Sequence, residues 1–309
     1  MVMSNVTTTT QLQDSLPSIR QSARLVREQR KVMTSVVDVQ QLGEGEGVDW
    51  NEISLEQLTA SSITETTVLD NPQLIVDTLF TVTPVIIGIH IVVTDKAKMR
   101  VSANVINLTG GLGQNAIERK KDQDGLTVGA AAGTDLGSAG GAVLSGYVRA
   151  ARYRISSDAT EPGPDPIVGV FHGFHIKYFE DEILGLAPAA GGGPANEVGT
   201  QTGMIGNNLA DTTFSNSLGN GLVGRLGGVR IHEDGNMTID SADDAESFIF
   251  SQMGIVLVQG RSPRMVVVRR EDIGGGSEVL YHYDEYAFGE RSSGNWLVSI
   301  TGDALVPTS

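Results

Sequence analysis

The stretch FHGFHIKYFEDE places His172, His175, Glu180, Asp181 and Glu182 within twelve residues and is the best metal candidate in the chain. A zinc hydrolase helix presents two histidines four residues apart, with a glutamate beside the first to act as base. Here the spacing is three, and Gly173 stands where that base would be. The local pattern reads instead as His172 ending a strand and His175 opening a helix whose acids face water. A second candidate is Gly219, Gly221 and Gly224, spaced G-x-G-x-x-G as in dinucleotide-binding turns. That turn works only between a buried strand and a helix N-terminus, which holds the pyrophosphate. Upstream lies the polar NNLADTTFSN, and downstream Gly227-Gly228 opposes a helix.

Other chemistries lack partners. No G-x-S-x-G elbow and no Gly-Lys pair occur. His90, His232 and His282 are isolated among strand residues, while Asp243-Asp244 and Glu271-Asp272 read as solvated turn charges. The arginines of GRSPRMVVVRR have no aromatic stacking platform in the local sequence, which favours a subunit contact over nucleic acid. The expectation is a non-enzymatic chain with no catalytic residues, no cofactor and no metal.

Composition narrows the class further. The chain has 309 residues, 40% of them hydrophobic, and a formal net charge of −15, so it can build a sizeable core but is poorly suited to tight DNA or anionic-membrane binding. Without cysteine it has neither disulfides nor thiolate sites. The longest apolar run, Leu79 to Val93, is broken by Pro84, Gly88 and His90, and no membrane role is expected. The start MVMSNVTTTT does not read as a signal peptide. Charge is segregated: Val32 to Thr94 contains no Lys or Arg but carries Asp38, Glu44, Glu46, Asp49, Glu52, Glu56, Glu65, Asp70 and Asp77. Basic residues gather in IRQSARLVREQRK and GRSPRMVVVRR. Such blocks suit surfaces that meet other surfaces.

The elements follow from periodicity and turn residues. Residues 1 to about 17 read as a polar arm, and Ser18 to Lys31 as a helix with an arginine face. VMTSVVDVQQL and VDWNEISLEQL read as two extended runs joined by the tip GEGEG, a hairpin-like excursion too poor in apolar residues for a core of its own. Buried-looking strands through Val93 precede a long helix starting at Thr94 with a weak point at Gly110-Gly111. AVLSGYVRAARYRI reads as a second helix, IVGVFH as a strand and GFHIKYFEDEIL as a short helix, followed by the mobile-looking loop APAAGGGPANEVGTQTGMIG. VRIHE-DG-NMTID reads as an Asp-Gly hairpin. SFIFSQMGIVLVQ, RMVVVRRED, EVLYHYDEYAFGE and NWLVSITGDA read as closing strands.

Taken in order, the arm, acidic excursion, long helix, glycine-rich second helix and PIVGVFHGFHIKYFEDEI resemble tailed-bacteriophage major capsid proteins of the Hong Kong 97-like fold. GLVGRLGGVRIHEDGN resembles the segment on which that family's axial domain turns back, and YAFGERSSGNWLVSITGDA its last peripheral and return strands. On this resemblance the G-x-G-x-x-G match belongs to a turn and hairpin. The implied fold is α+β: an N-terminal arm (1–32), an extended β-hairpin loop (33–69), a peripheral domain with a long spine helix (70–132), an axial domain (133–247), peripheral-domain strands (248–290) and a C-terminal return strand (291–309).

The resemblance implies a virion structural protein, assembled in the bacterial host cytoplasm. It would self-assemble into hexamers and pentamers of an icosahedral capsid that encloses phage dsDNA without sequence preference. A portal and separate scaffolding or decoration proteins are its implied partners. The alternatives are an encapsulin-type compartment, or a metal-dependent enzyme using His172 and His175. Some shells of this fold are cross-linked through a loop lysine; no Lys lies between Lys31 and Lys96, so a non-covalent shell is expected. The candidate inter-subunit residues are Glu44, Glu46 and Trp50 on the acidic loop, and Arg264, Arg269 and Arg270 on the basic strand.

Overall fold

The computed structural model describes residues 29, 31–60, 62–65, 74–100, 103–184, 222–272, 276–292 and 294–307. The expected arm, nearly all of the arginine-faced helix, the loop APAAGGGPANEVGTQTGMIG, and Gly219 and Gly221 lie outside them. In chain order the elements are α1 (Met33–Val36), β1 (Asp38–Gln41), β2 (Trp50–Leu55), β3 (Asp77–Val82), β4 (Val85–Thr94), α2 (Asp95–Arg100) and α3 (Ala103–Ala130). They continue with β5 (Asp135–Gly137), α4 (Ser145–Ser156), β6 (Ile167–Phe171), α5 (Gly173–Leu184), β7 (Leu222–Leu226), β8 (Val229–Glu233), β9 (Asp244–Ser251), β10 (Ile255–Arg270), β11 (Ser277–Glu290) and β12 (Leu297–Asp303). The α+β class expected from the sequence is observed. The chain divides into two compact units, one of residues 1–28, 86–118 and 262–284 and the other of 29–85, 119–261 and 285–309.

The larger unit is built on a six-stranded sheet of order β5-β12-β9-β6-β8-β7. β6 is apolar along its whole length and buried at every position, as a strand covered on both faces must be. It pairs antiparallel with β9 and parallel with β8. α4 turns Ser145, Val148, Ala151 and Ile155 inward at helical spacing, and α5 adds Ile176 and Phe179 to the same core. Phe171 and Phe179 meet edge to face with centroids 5.1 Å apart.

Several expected connections are rearranged. The hairpin is β7–β8, not the Asp234-Gly235 turn: its two-residue loop is Gly227-Gly228, with φ of 57° and 91°. Both values are those of a type I′ turn, whose twist matches the flanking strands and which glycine adopts without strain. After Asp234-Gly235 the chain makes only an isolated bridge between Ile239 and Ala245. The runs either side of GEGEG do not pair with each other. β1 runs parallel to β10, with Asp38 opposite Val256, and β2 runs antiparallel to β3, with Trp50 opposite Val82. Val256–Val258 is buried and its backbone needs a neighbour on both edges, which β1 supplies on one. The hairpin is therefore β2–β3, with strands over 50–55 and 77–82.

The long helix also departs from its reading. β4 runs through Thr94, α2 intervenes, and α3 then passes Gly110-Gly111 without a break. Glycine costs a helix about 1 kcal/mol relative to alanine, and close packing elsewhere along α3 offsets it. A Cβ at Gly129 would collide with the Phe248 ring, and one at Gly125 would lie 2.9 Å from Met33 Cβ. RMVVVRRED is not a separate strand; it continues SFIFSQMGIVLVQ's second half as the sixteen-residue β10.

In the smaller unit β11 lies between β10 and β4. Tyr281 and Tyr283 stack with centroids 5.9 Å apart, and His90 lies 6.0 Å from Tyr281. His282 faces the other way, against Gly113 of α3.

Candidate functional site

The β2–β3 ribbon has two unlike faces, because side chains alternate along each strand. One face carries Trp50, Glu52, Phe80 and Val82. Trp50 and Phe80 pack edge to face at 6.2 Å and, with Leu42, join a cluster around Val82, Val256 and Val258. The other face carries Ile53 opposite Leu79 and, two residues on, Leu55. These three are 61%, 62% and 68% exposed. Beyond the strands, Leu58 and Leu74 are exposed as well. A ribbon this small cannot cover both faces itself.

Arg291 fastens the base of the ribbon. Its side chain is only 8% exposed and donates to Asp38 of β1 at 2.6 Å and to Glu52 of β2 at 2.7 Å. A third bond reaches the Met253 carbonyl at 2.9 Å, and the guanidinium lies 5.7 Å from the Trp50 ring. Burial acts to raise the Asp38 pKa, but hydrogen bonds from Gln40 and Arg291, with the arginine's charge, bring it below the ordinary carboxylate value. One planar cation thus ties two segments of the acidic stretch to the turn after β9.

The six candidate contact residues fall in different settings. Glu44 is exposed. Glu46 accepts the Gly43 N–H at 2.7 Å and closes its own turn. Trp50 is committed to the intrachain cluster just described. Arg269 bonds Asp95 and Glu271 at 2.9 and 2.5 Å, and Arg270 bonds Asp272 at 3.0 and 2.5 Å. Glu271 and Asp272, read as solvated turn charges, are thus the partners of these arginines. Arg264 lies 5.5 Å from the Tyr283 ring. A stacked tyrosine pair does accompany the basic strand, which the local sequence concealed because Tyr281 and Tyr283 come from β11.

The histidine segment is built for packing. His175 is fully buried; its Nε2 lies 3.1 Å from the Gly302 carbonyl and its Nδ1 2.7 Å from the Ser247 hydroxyl. A carbonyl can only accept, so the proton sits on Nε2 and Ser247 donates to Nδ1. Burial pushes the pKa of both His172 and His175 down, favouring the neutral ring. His172 Nδ1 accepts the Phe174 N–H at 3.2 Å. The acids of α5 do not all face water, as the sequence suggested. Glu182 accepts both the N–H and the hydroxyl of Ser145 at 2.7 and 2.9 Å, capping α4 from a distance where Leu144 has no capping side chain. Asp181 pairs with Lys177 at 2.6 Å. Among the described residues no three His, Asp or Glu side chains gather as a metal site would need.

Gly224 lies in β7, and the element after it is β8 rather than a helix. The pyrophosphate cradle therefore lacks its helix N-terminus. Asp244, read as a solvated turn charge, is buried and accepts the Gly140 N–H at 2.7 Å. Among the described residues no helix is long and apolar enough to cross a membrane.

No family model matches the sequence, and no curated protein matches it. Solved structures do. The cyanophage Pam1 capsid matches with a TM-score of 0.69 at 11% identity, over 92% of this chain and 95% of that one. The capsid of cyanophage P-SCSP1u matches at 0.68 and 10% identity, over 98% and 97%. A chain of Mycobacterium phage Che8 matches at 0.62 and 16% identity, over 91% and 95%. At these identities the likeness speaks for the fold, and it extends over nearly the whole of both chains: this chain has the fold of tailed-phage capsid proteins.

Proposed function

We propose that the chain is a phage major capsid protein whose copies form the hexamers and pentamers of an icosahedral shell around dsDNA. The observation that carries the reading is the outward face of the β2–β3 ribbon, where Ile53, Leu55 and Leu79 stand about two-thirds exposed while the opposite face is anchored to the core. A neighbouring copy covers that face, and contacts that close into rings supply the symmetry. The Pam1 and P-SCSP1u matches are themselves capsids, which supports the assignment. Portal, scaffolding and decoration proteins are the further partners of such a shell, and the virion is its location. With no lysine in the acidic stretch the shell is held non-covalently.

The intrachain bonding of Arg269 and Arg270 shifts the weight of the inter-subunit contact from charge to apolar area. Burying a leucine contributes about 1.5–3 kcal/mol, so covering the exposed two-thirds of each of these three side chains contributes about 1–2 kcal/mol per contact. Negative-stain microscopy of the purified full-length protein tests the reading: closed shells or capsomers are expected. Ile53→Asp with Leu55→Asp should leave folded, unassembled protein with unchanged circular dichroism. A wild-type protein that stays monomeric at high concentration refutes the proposal, and a double variant that still closes shells refutes the part given to this ribbon face.

A further inference from the structure

Two buried carboxyls meet where α1 is fastened to α3. Asp122 of α3 is 0% exposed, and its Oδ1 accepts the backbone N–H groups of Val32 and Met33 at 2.8 and 2.9 Å. Its Oδ2 accepts Asn236 Nδ2 at 2.8 Å. These bonds satisfy the first free N–H groups of α1, whose N-cap Val32 offers no side-chain acceptor. Asp234, 1% exposed, follows β8; its Oδ1 accepts the Asn236 N–H at 2.9 Å and its own N–H donates to the Phe171 carbonyl at 3.0 Å. Its Oδ2 is buried and receives no donor, and Asn236 bridges the two carboxyls, its side-chain amide on Asp122 and its backbone N–H on Asp234.

An acceptor facing another acceptor in a dry site is costly, and two adjacent buried carboxylates more so. We propose that Asp122 and Asp234 form a proton-binding site, in which one proton on Asp234 Oδ2 is donated to Asp122 and locks the N-terminal turn of α1 onto α3. One proton gives the unpartnered oxygen a role, removes the like-charge repulsion and leaves Asp122 charged to hold the α1 amides. β8 contributes Glu233, whose charge adds to the repulsion. α1 (MTSV) carries no titratable side chain, β6 offers the Phe171 carbonyl, and Lys121 on α3 has its Nζ over the Tyr286 ring at 4.6 Å.

Burial first, and the Asp122 charge second, push the Asp234 pKa up to about 8. Between the ordinary carboxylate range and about 8 the folded protein binds a proton that the unfolded chain does not, so this pair's stabilisation declines as pH rises through that window. Within that window opening of the joint grows about tenfold per pH unit, and above about 8, where both states have lost the proton, the dependence levels off.

Amide hydrogen exchange of the full-length protein from pH 6 to 9.5, corrected for intrinsic base catalysis, tests the site. Expected is a roughly tenfold loss of protection of residues 32–37 per pH unit from pH 6 to about pH 8 and a constant level beyond, with β9 as the reference. Asp234→Asn, whose amide donates to Asp122 permanently, should flatten the profile. An infrared difference spectrum at pH 7 between wild type and Asp234→Asn should show a protonated carboxylic acid C=O band, a readout that does not depend on the variant's stability. A pH-independent wild-type profile, an absent acid band, or protection at pH 9 restored by Mg²⁺ or Ca²⁺ would overturn the proposal, the last by making the ligand a cation.

Discussion

Replacing Arg291 by Met keeps a long apolar stem against Trp50 but removes the cation that joins Asp38, Glu52 and the Met253 carbonyl. Three hydrogen bonds are lost, two of them between charged groups. Removing one member of a fully buried pair costs about 3–5 kcal/mol, chiefly because the partner charge is stranded. Asp38 and Glu52 are 25% and 40% exposed, so water recovers part of their solvation, and the expected loss is about 2–4 kcal/mol. Urea titration followed by tryptophan fluorescence in a Trp296→Phe background reports on the Trp50 ring beneath the guanidinium. The stranded-charge account makes a sharper claim: adding Asp38→Asn and Glu52→Gln to Arg291→Met should restore more than half of the loss. Acid should act in the same direction. The Asp38 pKa is lowered on folding, so its contribution is complete above the ordinary carboxylate pKa and is lost as pH falls through the lower folded value. A single-variant loss below about 0.5 kcal/mol would place Arg291 among ordinary surface ion pairs. No recovery in the triple variant would refute the reasoning about stranded charge.

His175→Ala leaves the Ser247 hydroxyl and the Gly302 carbonyl without their partner and opens a cavity, so a loss of about 3 kcal/mol or more is expected in urea unfolding, while His172→Ala should cost less. Because burial depresses both histidine pKa values, the unfolded chain binds more protons than the folded one just below pH 6.5; stability should fall on acidification there, and a double variant His172→Phe, His175→Gln should lose that slope. At the β7–β8 turn, Gly228→Ala combines a φ of 91° with a Cβ 2.6 Å from the Arg152 guanidinium and should cost about 1–3 kcal/mol. Gly227→Asn should cost less by thermal unfolding, since Asn-Gly suits a type I′ turn and only the flexible Arg149 stem must move.

What the sequence by itself determined is what local chemistry specifies. The continuous apolar run Ile167–Phe171 had to be a buried strand, and Gly173–Leu184 a helix after it, because their patterns admit little else. The wrong His spacing and the missing helix after Gly224 likewise argued against two chemistries before any coordinates. Even the capsid-like order of elements was legible, since order along the chain is a one-dimensional property. Pairing is not. Tertiary structure alone decided that β2 binds β3 and β1 binds β10, because the GEGEG turn offered a plausible hairpin and the true partners lie far along the chain. It decided that Gly227-Gly228, rather than Asp234-Gly235, turns the hairpin: both pairs satisfy turn chemistry, and strand register selects between them. It alone revealed Arg291 and the Asp122–Asp234 pair, whose members are separated by 253, 239 and 112 positions. A lone arginine or aspartate reads as a solvated charge until folding removes its water and leaves a particular partner in reach.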